Sequence, residues 1–162
     1  MEFEDLLKPL AAACGIERLE PDETHMVHLG DDGRSLTIVG DPETRMVVLF
    51  SEIGDLPQRG REAFYEQALK ANWLFQGGGG ATLAINPDSG ALSLNQALPM
   101  AALDGELFVR LVQGFLGFLL HWRQLAADWR GAKDEPLATG ADDATTEGDS
   151  FANFGDDRMI RI

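Results

Sequence analysis

Residues 81–98, ATLAINPDSGALSLNQAL, contain two strand-forming runs on either side of a tight turn. The runs are Ala81–Ile85 and Ala91–Leu98, and the sequence between them is Asn-Pro-Asp-Ser-Gly. In such a turn Pro87 fixes φ, and Gly90 adopts a positive φ without steric cost. The stretch therefore predicts two antiparallel strands joined by a turn.

The sequence before these strands predicts a helix over residues 59–75. The candidates for its apolar surface are Phe64, Ala68, Leu69, Ala71, Trp73 and Leu74. The run Gly77–Gly80 ends the helix. Because this run precedes a strand and no Gly-Lys-Ser or Gly-Lys-Thr follows it, it is interpreted as a hinge or tight connection rather than a phosphate-binding loop.

Three more strand-forming runs lie nearer the start of the chain. They are His25–Leu29, Ser35–Val39 and Arg45–Ile53. Turn residues separate them, first in Gly30–Gly33 and again after the second run. Alternation in the second run places Leu36 and Ile38 on the same face. Three short strands in succession predict an antiparallel meander.

A helix is predicted at each end of this region. In the first, apolar residues recur at helical spacing over residues 3–13, although Pro9 costs a backbone hydrogen bond and is expected to kink the helix or delay its start. In the last, Asp104 is the expected N-cap of a long helix that is apolar nearly all round in its first half. The order α-β-β-β-α-β-β-α predicts an α+β fold, with helices packed on a twisted antiparallel sheet.

The composition separates a folded domain, residues 1–130, from an acidic tail, residues 131–162. The tail holds eight acidic and three basic residues, so we predict that it is disordered. Its end, with Phe151, Phe154 and Met159, is apolar enough to dock elsewhere. The formal net charge of the whole chain is −14, which argues against nucleic acids and anionic membranes as partners and fits a basic or amphipathic polypeptide.

No residue pattern predicts a catalytic site, a metal site or a cofactor. His25 and His28 lie three positions apart on a predicted strand and so point to opposite faces, and no metal-binding motif surrounds His121. Cys14, the only cysteine, is expected to be a small buried hydrophobe rather than a reactive thiol. Neither Cys14 nor Ser51 lies in a nucleophile motif. We therefore predict a binding protein and not an enzyme.

Four stretches occur in an order and spacing that together are fairly specific. They are Phe3–Leu10 with Cys14-Gly-Ile, Gly54-Asp-Leu-Pro, Leu69-Lys-Ala-Asn-Trp-Leu followed by Gly80–Leu94, and Leu103–Phe108 with Phe115, Phe118 and Trp122. Through them the chain resembles, over roughly residues 3–130, the class I type III secretion chaperones, also called the Tir-chaperone family. The glycine run and the acidic tail depart from the family's pattern.

This resemblance implies a homodimer in the bacterial cytoplasm. The dimer would bind the N-terminal segment of a secreted effector polypeptide and keep it extended and competent for secretion, without nucleotide hydrolysis. The alternative is a protein of another class, a regulatory or immunity-type binding module of the same fold that acts on a folded partner. A cargo segment that is extended and becomes protected from protease on binding would favour the chaperone.

The resemblance also implies two surfaces. Cargo would contact the first helix and the first strands through Leu6, Leu7, Leu10, Val27, Leu29, Leu36 and Ile38. The alternative for each of these residues is a place in the core, because a small sheet must bury one face anyway. The dimer interface would use Phe64, Ala68, Asn72 and Trp73. Asn72 could instead cap the end of its helix, where Asn tolerates a left-handed conformation.

Overall fold

A computed structural model of the chain describes residues 2–30 and 35–129. The α-helices in these residues are α1 (Phe3–Cys14), α2 (Arg61–Asn72) and α3 (Gly105–Asp128). The strands are β1 (Met26–Leu29), β2 (Leu36–Asp41), β3 (Met46–Gly54), β4 (Thr82–Ile85) and β5 (Leu92–Pro99). This order confirms the predicted α+β fold. The predicted turn Gly30–Gly33 and the acidic tail lie wholly or mostly outside the described residues.

The strands form one antiparallel sheet in the order β1-β2-β3-β5-β4. The longest strand, β3, pairs with β2 on one side and with β5 on the other, and its register with β5 shifts at a bulge between Glu52 and Gly54. The short strands β1 and β4 form the two edges. A strand from another chain can form backbone hydrogen bonds with an exposed edge strand. The exposure of β1 and β4 therefore determines where a partner strand could pair with this sheet.

Alternation along β3 shows which face of the sheet carries the core. Val47 and Leu49 are fully buried, whereas Val48 and Phe50 on the opposite face are half-buried. Helices α1 and α3 contact each other, and α3 packs against β3. The buried residues that α3 contributes are Phe108, Val112, Phe115, Leu119 and Trp122. The core thus lies between these two helices and one face of the sheet.

The predicted start of the last helix is confirmed, and a glycine ends the first. The Asp104 carboxylate accepts a hydrogen bond of 2.7 Å from the Leu107 N–H, as an N-cap does. Gly15 ends α1 in the left-handed conformation, with φ 68°. The expected delay in the start of this helix is wrong, because α1 already begins at Phe3 and Pro9 lies inside it.

The end of the second helix differs from the prediction. Helix α2 stops at Asn72, and a single 3₁₀ turn covers Trp73–Phe75. Within it Leu74 and Phe75 both have positive φ, 51° and 57°, which is uncommon for large side chains. Past this kink, a Cβ atom on Gly79 would lie 2.2 Å from the Phe118 ring, so the glycine run passes close to α3. The close contact between the glycine run and α3 agrees with the prediction that Gly77–Gly80 is a tight connection.

The prediction that Cys14 is buried is wrong, because its side chain is exposed. It follows Leu7 and Leu10 at helical spacing, which is why the sequence pattern places it on the apolar face. The buried part of the helix ends at Ala11, however, and residues 12–18 are all exposed. The last turn of α1 therefore extends past the core into solvent.

Candidate functional site

Six of the seven residues predicted to bind cargo are buried in the single chain. They are Leu6, Leu7, Leu10, Val27, Leu36 and Ile38, and none is more than 4% exposed. The seventh, Leu29, is half-buried. The alternative assignment to the core therefore fits the single chain, and direct contact of these side chains with cargo stays a prediction.

A groove runs along the outer side of α1, beside these core residues. Its second wall is the loop over residues 16–21, and its volume is about 630 Å³. The apolar side chains that line it are Ala11, Ala12, Ile16, Leu19 and Pro21, and the charged ones are Glu4, Lys8, Glu17, Arg18 and Glu20. We call this feature the α1 groove. A lining that combines apolar and charged side chains suits a surface that binds a polypeptide.

The neighbouring edge of β1 is partly covered by its own chain. His25 accepts a hydrogen bond from the Gly40 N–H of β2, so the backbone of the next residue, Met26, points away from the sheet. Asp22 occupies this outward position, since its carboxylate accepts from the Met26 N–H at 3.0 Å and its N–H donates to the Met26 carbonyl at 2.9 Å. The next outward-facing residue is His28. A strand from another chain would meet the backbone of His28 first.

Local hydrogen bonds hold the Asp22 carboxylate in its charged form. It accepts from the hydroxyl of Thr24 at 2.6 Å and from the Thr24 N–H at 2.8 Å. The bond from the Thr24 hydroxyl, followed by the one from the Met26 N–H, lowers the pKa of Asp22 below its ordinary value of 3.8. The turn that covers β1 is therefore most stable when this carboxylate is ionised.

The opposite edge of the sheet, at β4, is covered by Asn72 of α2. The Asn72 amide donates to the Leu83 carbonyl at 3.0 Å, and its side-chain oxygen accepts from the Leu83 N–H at 2.8 Å. The side chain thus satisfies both backbone groups of Leu83 as a neighbouring strand would. Asn72 has a right-handed conformation, with φ −72°, so the alternative that it is a left-handed helix cap is wrong.

An exposed apolar patch follows Asn72 in the chain. Leu69, Trp73, Leu74 and Phe75 are between 53% and 70% exposed, and we call them the α2 patch. A shallow groove of about 640 Å³ runs past Leu69 and Trp73. Neighbouring exposed large apolar side chains of this kind commonly mark a site of protein association.

The residues predicted for the dimer interface divide between this patch and the core. Trp73 belongs to the α2 patch, and Asn72 is half-buried beside it. Phe64 and Ala68 are buried on the opposite side of α2, where the Phe64 ring meets Trp122 and Trp129 edge-on. Sequence periodicity alone did not separate the two sides, because α2 carries apolar residues on both.

Within residues 2–30 and 35–129, no group of three or more His, Cys, Asp or Glu side chains could hold a metal ion. The pKa of each of Asp5, Asp22, Asp41 and Glu66 is lowered, chiefly by a local side-chain hydrogen bond. Asp41 is half-buried and the other three are exposed. In the same part of the chain no helix, α3 included, combines the length and apolar character that a membrane crossing requires.

Several solved structures share this fold. A chain from the ExsC–ExsE complex superimposes with a TM-score of 0.66 and 20% identity, covering 78% of this chain and 97% of that one. A chain from the HopA1–SchA chaperone–effector complex superimposes with a TM-score of 0.60 and 20% identity, and the match covers 75% of this chain and 93% of that one. A chain from the ExoU–SpcU complex of the type III secretion system of Pseudomonas aeruginosa superimposes with a TM-score of 0.59 and 20% identity. The match covers 76% of this chain and 97% of that one.

Sequence comparison gives the family directly. A search of curated protein sequences returned no significant match. The model of the Tir chaperone protein (CesT) family, by contrast, matches residues 5–123, which run from α1 into the last turns of α3. This match covers most of the chain and confirms the resemblance stated from the sequence. The chain belongs to the Tir chaperone protein (CesT) family.

Proposed function

We propose that this chain is a type III secretion chaperone that binds the N-terminal segment of a secreted effector. As a homodimer in the bacterial cytoplasm, it keeps that segment extended and competent for secretion, and it acts without catalysis. The observation that carries this proposal is the family match, together with a fold shared by a chain solved in a chaperone–effector complex and by a chain from a heterodimeric complex of a type III secretion system. The exposed surfaces give this function a physical basis.

The cargo segment lies along α1 and the edge of β1. The α1 groove offers an apolar lining for alternate side chains of an extended segment, and the backbone of His28 offers hydrogen bonds at the strand edge. The buried residues Leu6, Leu7 and Leu10 support this surface from beneath, by fixing α1 on the sheet. A bound segment would form few contacts with itself, which is how the chaperone would prevent its folding.

The dimer forms through the α2 patch. Trp73 and Leu69 present a wide apolar surface, and Ile85 of the edge strand β4 is exposed as well. Burying these side chains against a second copy removes apolar area from water, which favours association. The strained backbone of Leu74 and Phe75 holds two large side chains outward, where a partner can cover them.

Charge reversal of the α2 patch tests the dimer. The double variant Leu69→Glu, Trp73→Glu is expected to fold, since both side chains are about 70% exposed. Sedimentation equilibrium at micromolar concentration should give twice the chain mass of 17.6 kDa for the wild type and the single-chain mass for the variant. The control Leu120→Asp, on the exposed side of α3, should remain a dimer. A wild-type monomer at that concentration would rule the dimer out.

A test of the cargo surface requires a substitution that alters the α1 groove and leaves the core intact. Asp at Leu6 or Leu10 would unfold the chain, because both side chains are at most 2% exposed. Ile16→Asp changes a side chain that is 40% exposed and lines the groove. Since cargo can bury only the 40% of Ile16 that is exposed, which contributes about 0.6–1.2 kcal/mol, the Kd for the co-purifying effector polypeptide should rise by about threefold or more. Equal affinities for Ile16→Asp and the control Leu120→Asp would exclude the groove.

A further inference from the structure

The sequence that follows α3 changes character near its end. Residues 131–157 hold eight acidic residues and a single basic one. Residues 158–162 read Arg-Met-Ile-Arg-Ile, with two basic residues, three large apolar ones and no acid. Phe151 and Phe154 lie just before this segment. A basic and apolar segment of this kind complements a surface that has an apolar lining and an excess of carboxylates.

The α1 groove is such a surface. Three carboxylates and two basic groups line it, and both basic groups are already held in ion pairs. Lys8 pairs with Asp5 at 2.9 Å, and Arg18 pairs with Glu20 at 2.6 Å. The carboxylates of Glu4 and Glu17 therefore give the groove an excess of negative charge. Exposed pairs of this type orient a ligand, while apolar contact supplies most of the affinity.

The connecting sequence has the right length to reach the groove. The groove lies on α1, and α1 packs on the start of α3, where a Cβ atom on Gly105 would lie 2.6 Å from Pro9, a residue of α1 outside the groove lining. The chain leaves from the other end of α3, about 36 Å away for a helix of 24 residues. An unstructured chain as long as residues 130–157 has a mean end-to-end distance of about 30 Å. A connection whose mean span matches the distance gives a high effective concentration.

We propose that residues 151–162 bind the α1 groove of their own chain. Met159, Ile160 and Ile162 lie against its apolar lining, and the two arginines face the carboxylates of Glu4 and Glu17. Insofar as cargo binds the same groove, which rests on the proposed function, this segment competes with cargo and is displaced by it. The groove is then covered when no effector is present, and its apolar lining is kept from nonspecific association.

Cys14 provides a direct probe of this contact, because it is exposed on α1 one turn beyond Ala11 and no other cysteine competes with it. In the full chain carrying Ile160→Cys, mild oxidation should form an intramolecular disulfide with Cys14. The control is Ile160→Cys with Phe154→Ser, Met159→Ser and Ile162→Ser, which keeps the length of the connection and the charges but removes apolar side chains of the segment. The rate should exceed that of this control by about tenfold, because docking raises the effective concentration above that of a free tether. Both chains have the same connection, so an undocked tail would give equal rates. Equal rates, or a faster control, would overturn the proposal.

Charge reversal then locates the contact. Adding Glu4→Lys and Glu17→Lys to the Ile160→Cys chain should slow disulfide formation to the rate of the control that carries the three serines. Glu43→Lys, an exposed change in the turn between β2 and β3, should leave the rate unchanged. An unaltered rate in the groove variant, or a disulfide that joins two chains instead of one, would contradict the proposal. Because no cargo is present, these outcomes do not depend on whether the chain is a secretion chaperone.

Discussion

Asn72 and Asp22 perform the same task at opposite edges of the sheet. Each side chain forms hydrogen bonds with backbone groups that would otherwise pair with a foreign strand. At β4 the Asn72 amide satisfies the donor and the acceptor of Leu83, and so it closes that position completely. At β1 the bonds to Met26 come from one short turn of the chain. A turn can be displaced more readily than a helix, which is why β1 is the edge we assign to cargo.

Replacing Asn72 by Ala leaves two backbone groups of Leu83 without their partner. We expect a loss of about 1–2 kcal/mol in the free energy of unfolding, because polar groups near the core lose hydrogen bonds that water replaces poorly. Urea denaturation at one fixed protein concentration measures it. Gln67→Ala, on the exposed side of the same helix, should stay within about 0.5 kcal/mol of wild type. Identical midpoints for the two variants would refute the role given to Asn72.

The lowered pKa of Asp22 predicts a pH-dependent turn. The group is more acidic in the folded chain, so its stabilising effect is present above the ordinary value of 3.8 and is lost as pH falls through the folded pKa. Asp22→Asn should therefore be less stable than wild type at pH 6, and the difference should shrink as pH falls below 3.8. Urea midpoints of both proteins across this range measure the effect. A difference that does not change with pH would contradict this account.

At the scale of elements, the first turn of α1 packs unusually closely on β2. A Cβ atom on Gly40 would lie 2.4 Å from the ring of Phe3, which is buried. Gly40→Ala should therefore push the helix away from the sheet and lower the free energy of unfolding by about 1–3 kcal/mol. Gly117→Ala is the matched control, because its Cβ would meet open space on α3 and should stabilise the helix by about 0.5–1 kcal/mol. Thermal or urea unfolding distinguishes them, and a neutral Gly40→Ala would disprove the close contact.

The sequence predicts the helices and strands that are determined by residues close together in the chain. Strand alternation is enough to place Leu36 and Ile38 on one face of the sheet, and cap chemistry is enough to start α3 at Asp104. The kink at Leu74 is not predictable in this way, because a left-handed conformation of a large residue depends on what surrounds it.

The candidate surfaces were harder to predict than the fold. A hydrophobic residue is expected to be shielded from water, but the sequence does not say whether the core of its own chain or an interface with a partner shields it. Leu6 and Trp73 illustrate the difficulty, since one is fully buried and the other is 69% exposed. The partner of Asn72 is eleven residues away on an edge strand, and only the assembled sheet brings the two together. The α1 groove likewise depends on a loop that no periodic pattern describes.

At the scale of the whole molecule, the sequence is acidic and predicts no catalytic motif, and the structure shows where its apolar surfaces lie within that acidic chain. The charge of −14 is spread over a small domain and its tail, so it favours solubility and the approach of basic or amphipathic segments. Two apolar surfaces interrupt this charge on the described part of the chain, the α1 groove and the α2 patch. We assign the first to cargo, and to the chain's own end when cargo is absent, and the second to the partner subunit.

The central claim is that this chain holds an extended segment near the start of a secreted polypeptide. The most direct measurement is to purify the chain from its source bacterium, digest the complex with protease, and identify the fragment that survives. We predict one short N-terminal fragment, protected only while bound and without stable structure after release. A surviving fragment that folds on its own would contradict the claim, and would instead support a module that binds a folded partner.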